Sequence, residues 1–458
     1  MMRAFSLAEA RDWTGAGCAG QALESVRFSG VSTDTRTLAK GDLFVALRGE
    51  NFDGHRFLAV AQEAGAVAVV VDTEDGSISI PQLVVKDTVQ ALARLAEGNR
   101  KESPVQLVAV TGSSGKTTVR EMTAAVLSRM GPTLATEGNL NNHIGVPLTL
   151  FRLAPEHRFA AIELGASGLG EIAHTVAVAR PRVVILTNAG QAHLEGFGSY
   201  ENIVRAKGEI IDGVAEGGLV VLNRDDPAFD QWLARAGERR VVSVSRLGHP
   251  GADYQIKKAS VAGAGQRLTV TGPDGWSCTL SLSFPGEHNR SNALMAIAAT
   301  RELGATDQQL EEGLAGLSSV KGRLQVLQLD RGLTLIDDSY NANPASMKAA
   351  VAVLAERAGQ RLAVFGAMAE LGPAARALHA EVGAAAKERG IERLLVVGPG
   401  CEGYVDGFGP ETEQFPSHEE AVNAIVSNLD SDTTVLVKGS RSSAMDRVVE
   451  GIKKKVNN

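Results

Sequence analysis

The chain has 458 residues, of which 44% are hydrophobic and 4% aromatic, and a formal net charge of −7. That charge argues against a nucleic-acid scaffold, which carries a basic surplus for phosphates, and the length suggests about three domains of roughly 100–200 residues. Cys18, Cys278 and Cys401 lie far apart without CxxC spacing, which predicts reduced, unpaired thiols in a cytoplasmic protein, with no disulfide frame and no zinc site. The start, MMRAFSLAEARDW, lacks the apolar core of a signal peptide. No apolar run reaches the roughly 18 residues of a membrane span.

Residues 1–102 read as a small α/β unit. Helices are expected over 5–13, 55–64 and 89–97, strands over 44–47 and 66–71, and a linker over 99–104. Its polar loop 30–36 holds Ser32, Thr33 and Arg36 and by itself reads as an ordinary surface turn. Residues 103–317 alternate strand (105–110, 159–164, 183–186, 219–222) and helix (200–214, 228–236), the pattern of a largely parallel sheet covered on both faces. Over 253–284 the apolar period falls to two, which predicts antiparallel strands on that sheet's edge. Helices return over 291–303 and 306–317. Residues 318–458 repeat the alternation, with strands over 333–336, 362–365, 394–397 and 435–437 and helices over 344–357, 374–389, 417–429 and 442–454. The expected fold is α/β in three domains. A central P-loop parallel sheet with antiparallel edge strands is flanked by a small N-terminal α/β domain and a Rossmann-like C-terminal domain.

The chemistry is concentrated where strands end. The strand over 105–110 runs into Thr111, Gly112, Ser113, Ser114, Gly115, Lys116, Thr117 and Thr118, followed by a helix pattern. Strand, glycine loop, Lys-Thr and helix form a triphosphate cradle: loop N–H groups face the phosphates, Lys reaches the β/γ oxygens and Thr ligates Mg²⁺. The longer form of this motif has glycine where Val110 stands, so the match is to the shorter Gly-x-x-Gly-Lys-Thr. The next strand ends in Glu163, a hard ligand for Mg²⁺ or else a solvated rim carboxylate. The strand over 183–186 ends in the run Thr187 to His193, and histidine is a less usual Mg²⁺ partner. Lys207, in the helix over 200–214, reads from spacing alone as a surface lysine. Asn139, Asn141 and Asn142 form a donor-rich loop, suited to phosphates and sugars or to a plain asparagine turn. Asp337 and Asp338, adjacent at a strand end, need partners to offset their repulsion; Asn341, Asn343 and Ser346 follow them. Lys438 and Arg441 give another strand end a basic, glycine-containing turn.

Taken together, AVTGSSGKTT, ELGAS, TNAGQAHLEGFGS followed by RAKGEI, GEHNRSNALMA, KGR, DDSYNANPASM and VKGSR resemble, in this order, the motifs of the Mur ligases. These are ATP-dependent amide-forming enzymes of peptidoglycan precursor synthesis. DDSYNANP, GVSTDTR, FVALRGENFDGHRF and GNLNNHIGVPLTL resemble most the member that joins D-alanyl-D-alanine to UDP-N-acetylmuramoyl-tripeptide. The resemblance spans the whole chain and departs from the family pattern at Ala367, usually Asp, and His143, commonly Glu.

The resemblance implies a cytoplasmic, monomeric ligase working through an acyl phosphate. Domain 1–102 would bind the UDP-sugar, 103–317 ATP, and 318–458 the incoming dipeptide while closing over ATP. Gly112, Ser113, Ser114, Gly115, Lys116, Thr117 and Thr118 would hold the phosphates. Asn289 and Asn292 would contact adenine, and Arg323 and Asp338 would reach the nucleotide from the third domain. Thr117 would serve one Mg²⁺, and Glu163 and His193 a second. Lys207 would join them if carbamylated by CO₂, and Lys116, His193 and Lys207 would be catalytic. Ser32, Thr33 and Arg36, with Asn139, Asn141 and Asn142, would hold the UDP-substrate, and Asn341, Asn343 and Ser346 the dipeptide. Hinges are expected near Ser103-Pro104 and Ser318-Ser319. The competing readings are a sister amide ligase, such as a folate polyglutamate synthase, and a non-catalytic nucleotide switch.

Overall fold

Each third of the chain builds its own sheet. The structure is a computed structural model describing residues 2–19, 23–49, 52–317, 320–429 and 432–457. In the first domain, strands Gly17–Ala19, Gln82–Val84, Ala68–Val71, Leu43–Val45 and Val31–Ser32 lie side by side in that order. The central sheet has nine strands and the third-domain sheet six.

In the central sheet, Gln106–Thr111 lies between Phe159–Glu163 and Val183–Leu186, parallel to both. The chain leaves Gln106–Thr111 to build outward on one side and returns to build on the other. That reversal opens a crevice at the strand's carboxyl end. The expected antiparallel edge is present as Tyr254–Ala262, Gly265–Thr271 and Ser277–Leu282. Two further parallel strands, Thr133–Ala135 and Arg240–Ser245, extend the sheet beyond those expected. In the third domain, Thr334–Asp338, Thr433–Lys438, Gln360–Gly366, Arg393–Val397 and Glu413–Phe415 run parallel, with Gln325–Gln328 antiparallel on the edge.

Two expectations are corrected here. The first helix begins at Leu7, because Phe5 and Ser6 pair with Phe28 and Arg27 and the Ser6 hydroxyl caps the helix in a box with Glu9. More consequentially, 99–104 is not a free linker. The helix Thr88–Lys101 runs through Asn99 and Arg100, and both side chains are buried. The Asn99 amide donates to the Leu150 carbonyl at 2.8 Å. The Arg100 guanidinium donates to the carbonyls of Ala179 (2.8 Å), Ser103 (2.9 Å), Val105 and Arg180 (both 3.1 Å). Around these ties, one apolar cluster joins Leu92, Leu95 and Ala96 of the first domain to Val146, Leu150, Ile172 and Val176 of the second. The Ser103-Pro104 hinge is therefore pinned, and the Ser318-Ser319 hinge lies outside the described residues.

Arg100→Met is expected to lower unfolding free energy by about 2–4 kcal/mol, because it strands buried carbonyls without a donor. Denaturant unfolding checks this, and a loss below about 1 kcal/mol would remove the pin from the account. Among the described residues no helix is long and apolar enough to cross a membrane. Cys18, Cys278 and Cys401 are free thiols.

Candidate active site

The phosphate loop is held from below. Gly112 has φ 145° and Gly115 φ 80°, values that favour glycine. A β-carbon at Gly112 would meet the Thr187 hydroxyl at 1.9 Å. The next strand end explains the closeness. Thr187 Oγ1 donates to the Ser114 carbonyl (2.6 Å), Asn188 Oδ1 accepts from the Ser114 N–H (2.9 Å), and the Asn188 carbonyl accepts from the Ser113 N–H (3.0 Å). The Thr187-Asn188 pair thus shapes the loop.

Lys116 opens the helix Lys116–Met130, and its Nζ donates to the Gly112 carbonyl at 2.8 Å. Burial lowers its pKa; Glu163 opposes that shift and the nearby Arg323 adds to it. Thr117 Oγ1 donates to Glu163 Oε2 at 2.8 Å, and Asn141 Nδ2 donates to Glu163 Oε1 at 2.8 Å. Glu163 sits in register with Val110, one strand from the loop. Behind it lies Arg120, buried and missed by sequence reasoning, with Nε 3.8 Å from Glu163 Oε2. Its only signal in the sequence is a cation one turn after Lys116.

These groups form one wall of a cavity of about 680 Å³. Ser113 to Thr118, Glu163, His193, Asn139, Asn141, Asn142, Asn289 and Asn292 line it from the central domain, and Arg323, Asp338, Asn341, Asn343 and Ser346 from the third. Asn292 donates to Asn289 Oδ1 at 2.9 Å, and Asn289 donates to the Pro285 carbonyl at 2.7 Å, at the start of the helix Glu287–Glu302. His288, beside them and unforeseen, has its pKa pushed down to about 4 by burial and then by Lys438 and Arg246. The third domain touches the loop directly: Asn343 Nδ2 donates to Ser114 Oγ at 3.1 Å.

Several expected residues are placed differently. Ser32, Thr33 and Arg36 do not line this cavity. Arg36 is exposed and grips Asp34 through Nε at 2.9 Å, while the Ser32 hydroxyl donates to the Asp34 carbonyl. Asn343 and Ser346 are engaged locally, as a reciprocal cap on the helix Pro344–Ala355. Asp338 accepts from Lys438 Nζ at 2.6 Å and from the Leu324 N–H at 3.0 Å, with burial raising its pKa.

Of the expected metal ligands, Glu163 and His193 line the cavity and Lys207 does not. Among the described residues no group of three or more His, Cys, Asp or Glu is placed to hold a metal. His193, at φ 56°, turns its Nδ1 to the Glu370 carboxylate of the third domain. An imidazole takes the nearest carboxylate when one is in reach. Lys207 is not a surface residue: it is 1% exposed, with Nζ donating to the Ala166 carbonyl at 3.1 Å and lying 4.9 Å from the Phe197 ring centroid. Burial and then Lys116 lower its pKa to about 7, with Glu171 and Glu209 opposing. Of the two departures, Ala367 packs against the third-domain core and accepts from Ser440 through its carbonyl, and His143 is exposed.

Comparison with known proteins decides the family. Three family models match in succession: "Mur ligase family, catalytic domain" over 27–100, "Mur ligase middle domain" over 110–300 and "Mur ligase, glutamate ligase domain" over 322–441. The chain belongs to the Mur ligase family. This Mur ligase is 45% identical over 433 residues to the UDP-N-acetylmuramoyl-tripeptide–D-alanyl-D-alanine ligase of Escherichia coli K12, covering 93% of this chain and 94% of that one. It is also similar to a crystal structure of MurF from Acinetobacter baumannii, with a TM-score of 0.93, 32% identity and 99% of both chains covered. MurF ligase from Thermotoga maritima in complex with ADP matches with a TM-score of 0.85 and 29% identity, over 93% of this chain and 97% of that one.

Proposed function

We propose that this Mur ligase joins D-alanyl-D-alanine to UDP-N-acetylmuramoyl-tripeptide at the expense of ATP, in peptidoglycan precursor synthesis. The observation that carries the reading is one cavity walled by a phosphate loop from the central domain and by Arg323, Tyr340 and Asn343 from the third. A nucleotide switch has no need of such a two-sided enclosure. A ligase needs it to keep water from a reactive acyl phosphate.

The tripeptide carboxylate attacks the γ-phosphorus of ATP, giving ADP and an acyl phosphate. The dipeptide amine, as the free base, then attacks the acyl carbon, and inorganic phosphate leaves. The first step brings two anions together. Lys116 and Arg323 supply positive charge there, and the loop N–H groups orient the phosphates. Gly112 to Thr118 hold the triphosphate, and Asn289 and Asn292 the base. Domain 1–102 carries the UDP end through Ser32, Thr33 and Arg36, while Asn139, Asn141 and Asn142 contact substrate from the central domain.

The donor set fits Mg²⁺. Thr117 and Glu163 present hard oxygens 2.8 Å apart on the cavity wall, a pair that phosphate oxygens and water complete. Bound there, the ion would neutralise phosphate charge. A second ion requires Lys207 as a carbamate and His193 released from Glu370. The neutral amine favoured by burial at Lys207 is the form that adds CO₂. A monomeric, cytoplasmic enzyme belongs to this reading, and nucleotide substrates and free thiols support the cytoplasmic part of it.

The test is ADP release with defined substrate pairs. UDP-N-acetylmuramoyl-tripeptide plus D-alanyl-D-alanine is expected to exceed any single amino acid by about 100-fold or more in kcat/KM. Preference for a single amino acid would assign the chain to a sister ligase, and ATP binding without turnover would favour the switch.

A further inference from the structure

Tyr340 lines the cavity and carries two guanidinium groups against one ring, Arg323 at 4.3 Å and Arg441 at 5.9 Å from its centroid. Among the described residues neither arginine forms an ion pair. Two like charges against one ring repel one another and favour anions beside them. Arg323 lines the cavity and depresses the pKa of Lys116, so its field acts on the triphosphate side. Arg441 is exposed, outside the lining, and has no such occupant.

We propose that Arg441 binds the C-terminal carboxylate of the incoming dipeptide. This inference rests on the ligase reading above. The dipeptide has methyl side chains, so its amine, amide and carboxylate are its only strong handles. The amine must reach the acyl phosphate beside Lys116. Two residues span at most about 7 Å, so the far carboxylate lies within that reach of the reacting amine.

Other groups on that side are engaged. Lys438 is buried between Asp338 (2.6 Å) and the Asn341 carbonyl (2.9 Å). Asn341 Oδ1 accepts from the Ala342 N–H at 2.9 Å, and Asn343 and Ser346 form the helix cap. Arg441 is held ready. It follows Ser440, whose hydroxyl donates to the Ala367 carbonyl at 2.7 Å and lies 3.0 Å from the Ser442 hydroxyl. A guanidinium fork on a fixed turn suits bidentate capture of a carboxylate.

The experiment compares D-alanyl-D-alanine with its C-terminal carboxamide as acceptors for the wild-type enzyme, Arg441→Met and Arg441→Lys, by ADP release. Wild type is expected to favour the acid over the amide by about 30-fold, the discrimination of a charge-assisted bidentate contact. Arg441→Met should raise KM for the acid by a similar factor, leave KM for the amide and for ATP in place, and so abolish the preference. Arg441→Lys should restore part of it. A purely structural role would move acid and amide together. An Arg441→Met enzyme that keeps the wild-type preference overturns the proposal while leaving the ligase reading intact. A wild-type enzyme inactive on the natural pair overturns both.

Discussion

Replacing Lys116 with methionine is expected to lower kcat by about 10³-fold, the cost of removing a preorganised charge from a developing anionic centre. The fold should survive loss of the Lys116–Gly112 bond, because Thr187 and Asn188 still hold Ser113 and Ser114 from the neighbouring strand end. What is lost is a partly buried ammonium whose pKa is already lowered by desolvation. Such a charge is poorly solvated, so a phosphate gains more from it than from a surface lysine. Single-turnover ADP formation, with thermal melting as a control for folding, checks the prediction. A loss below about 10-fold with an unchanged melt would mean that Arg323 and the loop amides carry the charge stabilisation without it.

The second large effect is expected at Lys207. Lys207→Ala should abolish turnover, and a small added carboxylate such as acetate should restore part of it. The side chain is nearly inaccessible and hydrogen-bonded to one carbonyl, an uncomfortable site for a plain ammonium. Its pKa is lowered to about 7. The sign follows from the direction of the shift. Above about pH 7 the amine is mainly neutral and able to add CO₂; below it, the proton blocks addition. Bicarbonate-stripped wild-type enzyme should therefore regain activity on adding bicarbonate faster at about pH 8 than at about pH 6. Full activity of stripped enzyme, or no carboxylate rescue of a folded Lys207→Ala protein, would dismiss the carbamate. A salt dependence unrelated to carboxylate would do the same.

Residues whose role depends on their immediate neighbours were legible in the sequence. The glycine loop, the parallel strands and the antiparallel edge follow from spacing over a few positions, and Glu163 from its place at a strand end beside the loop. Residues whose role depends on distant chain were not. Lys207 reads as exposed because its helix has polar neighbours, yet Gly208 beside it lets Trp232 and Arg235 pack close, where a β-carbon would meet Arg235 at 2.9 Å. Asn99 and Arg100 look like a polar linker because three of the carbonyls that satisfy them, those of Leu150, Ala179 and Arg180, lie 51, 79 and 80 positions further along. Glu370, the partner of His193, is 177 positions away from it. The last helix starts at Asp446 and not near 442 because Ala444 turns left-handed at φ 49°. The family resemblance named side chains that line the cavity from both domains, but not the work Asn343 and Ser346 do as a cap.

The apolar cluster shared by the first two domains also constrains how the chain is made. It runs from Met2 and Phe5 to Trp232 and Ala236, whereas the third sheet is covered by clusters almost wholly its own. An emerging chain that has completed only the first sheet still exposes Leu92, Leu95 and Ala96, whose partners have yet to be synthesised. That apolar surface stays open until Val146, Leu150, Ile172 and Val176 have been synthesised. The first two sheets share a core and the third keeps its own, so the core completed last is the one beside Arg441.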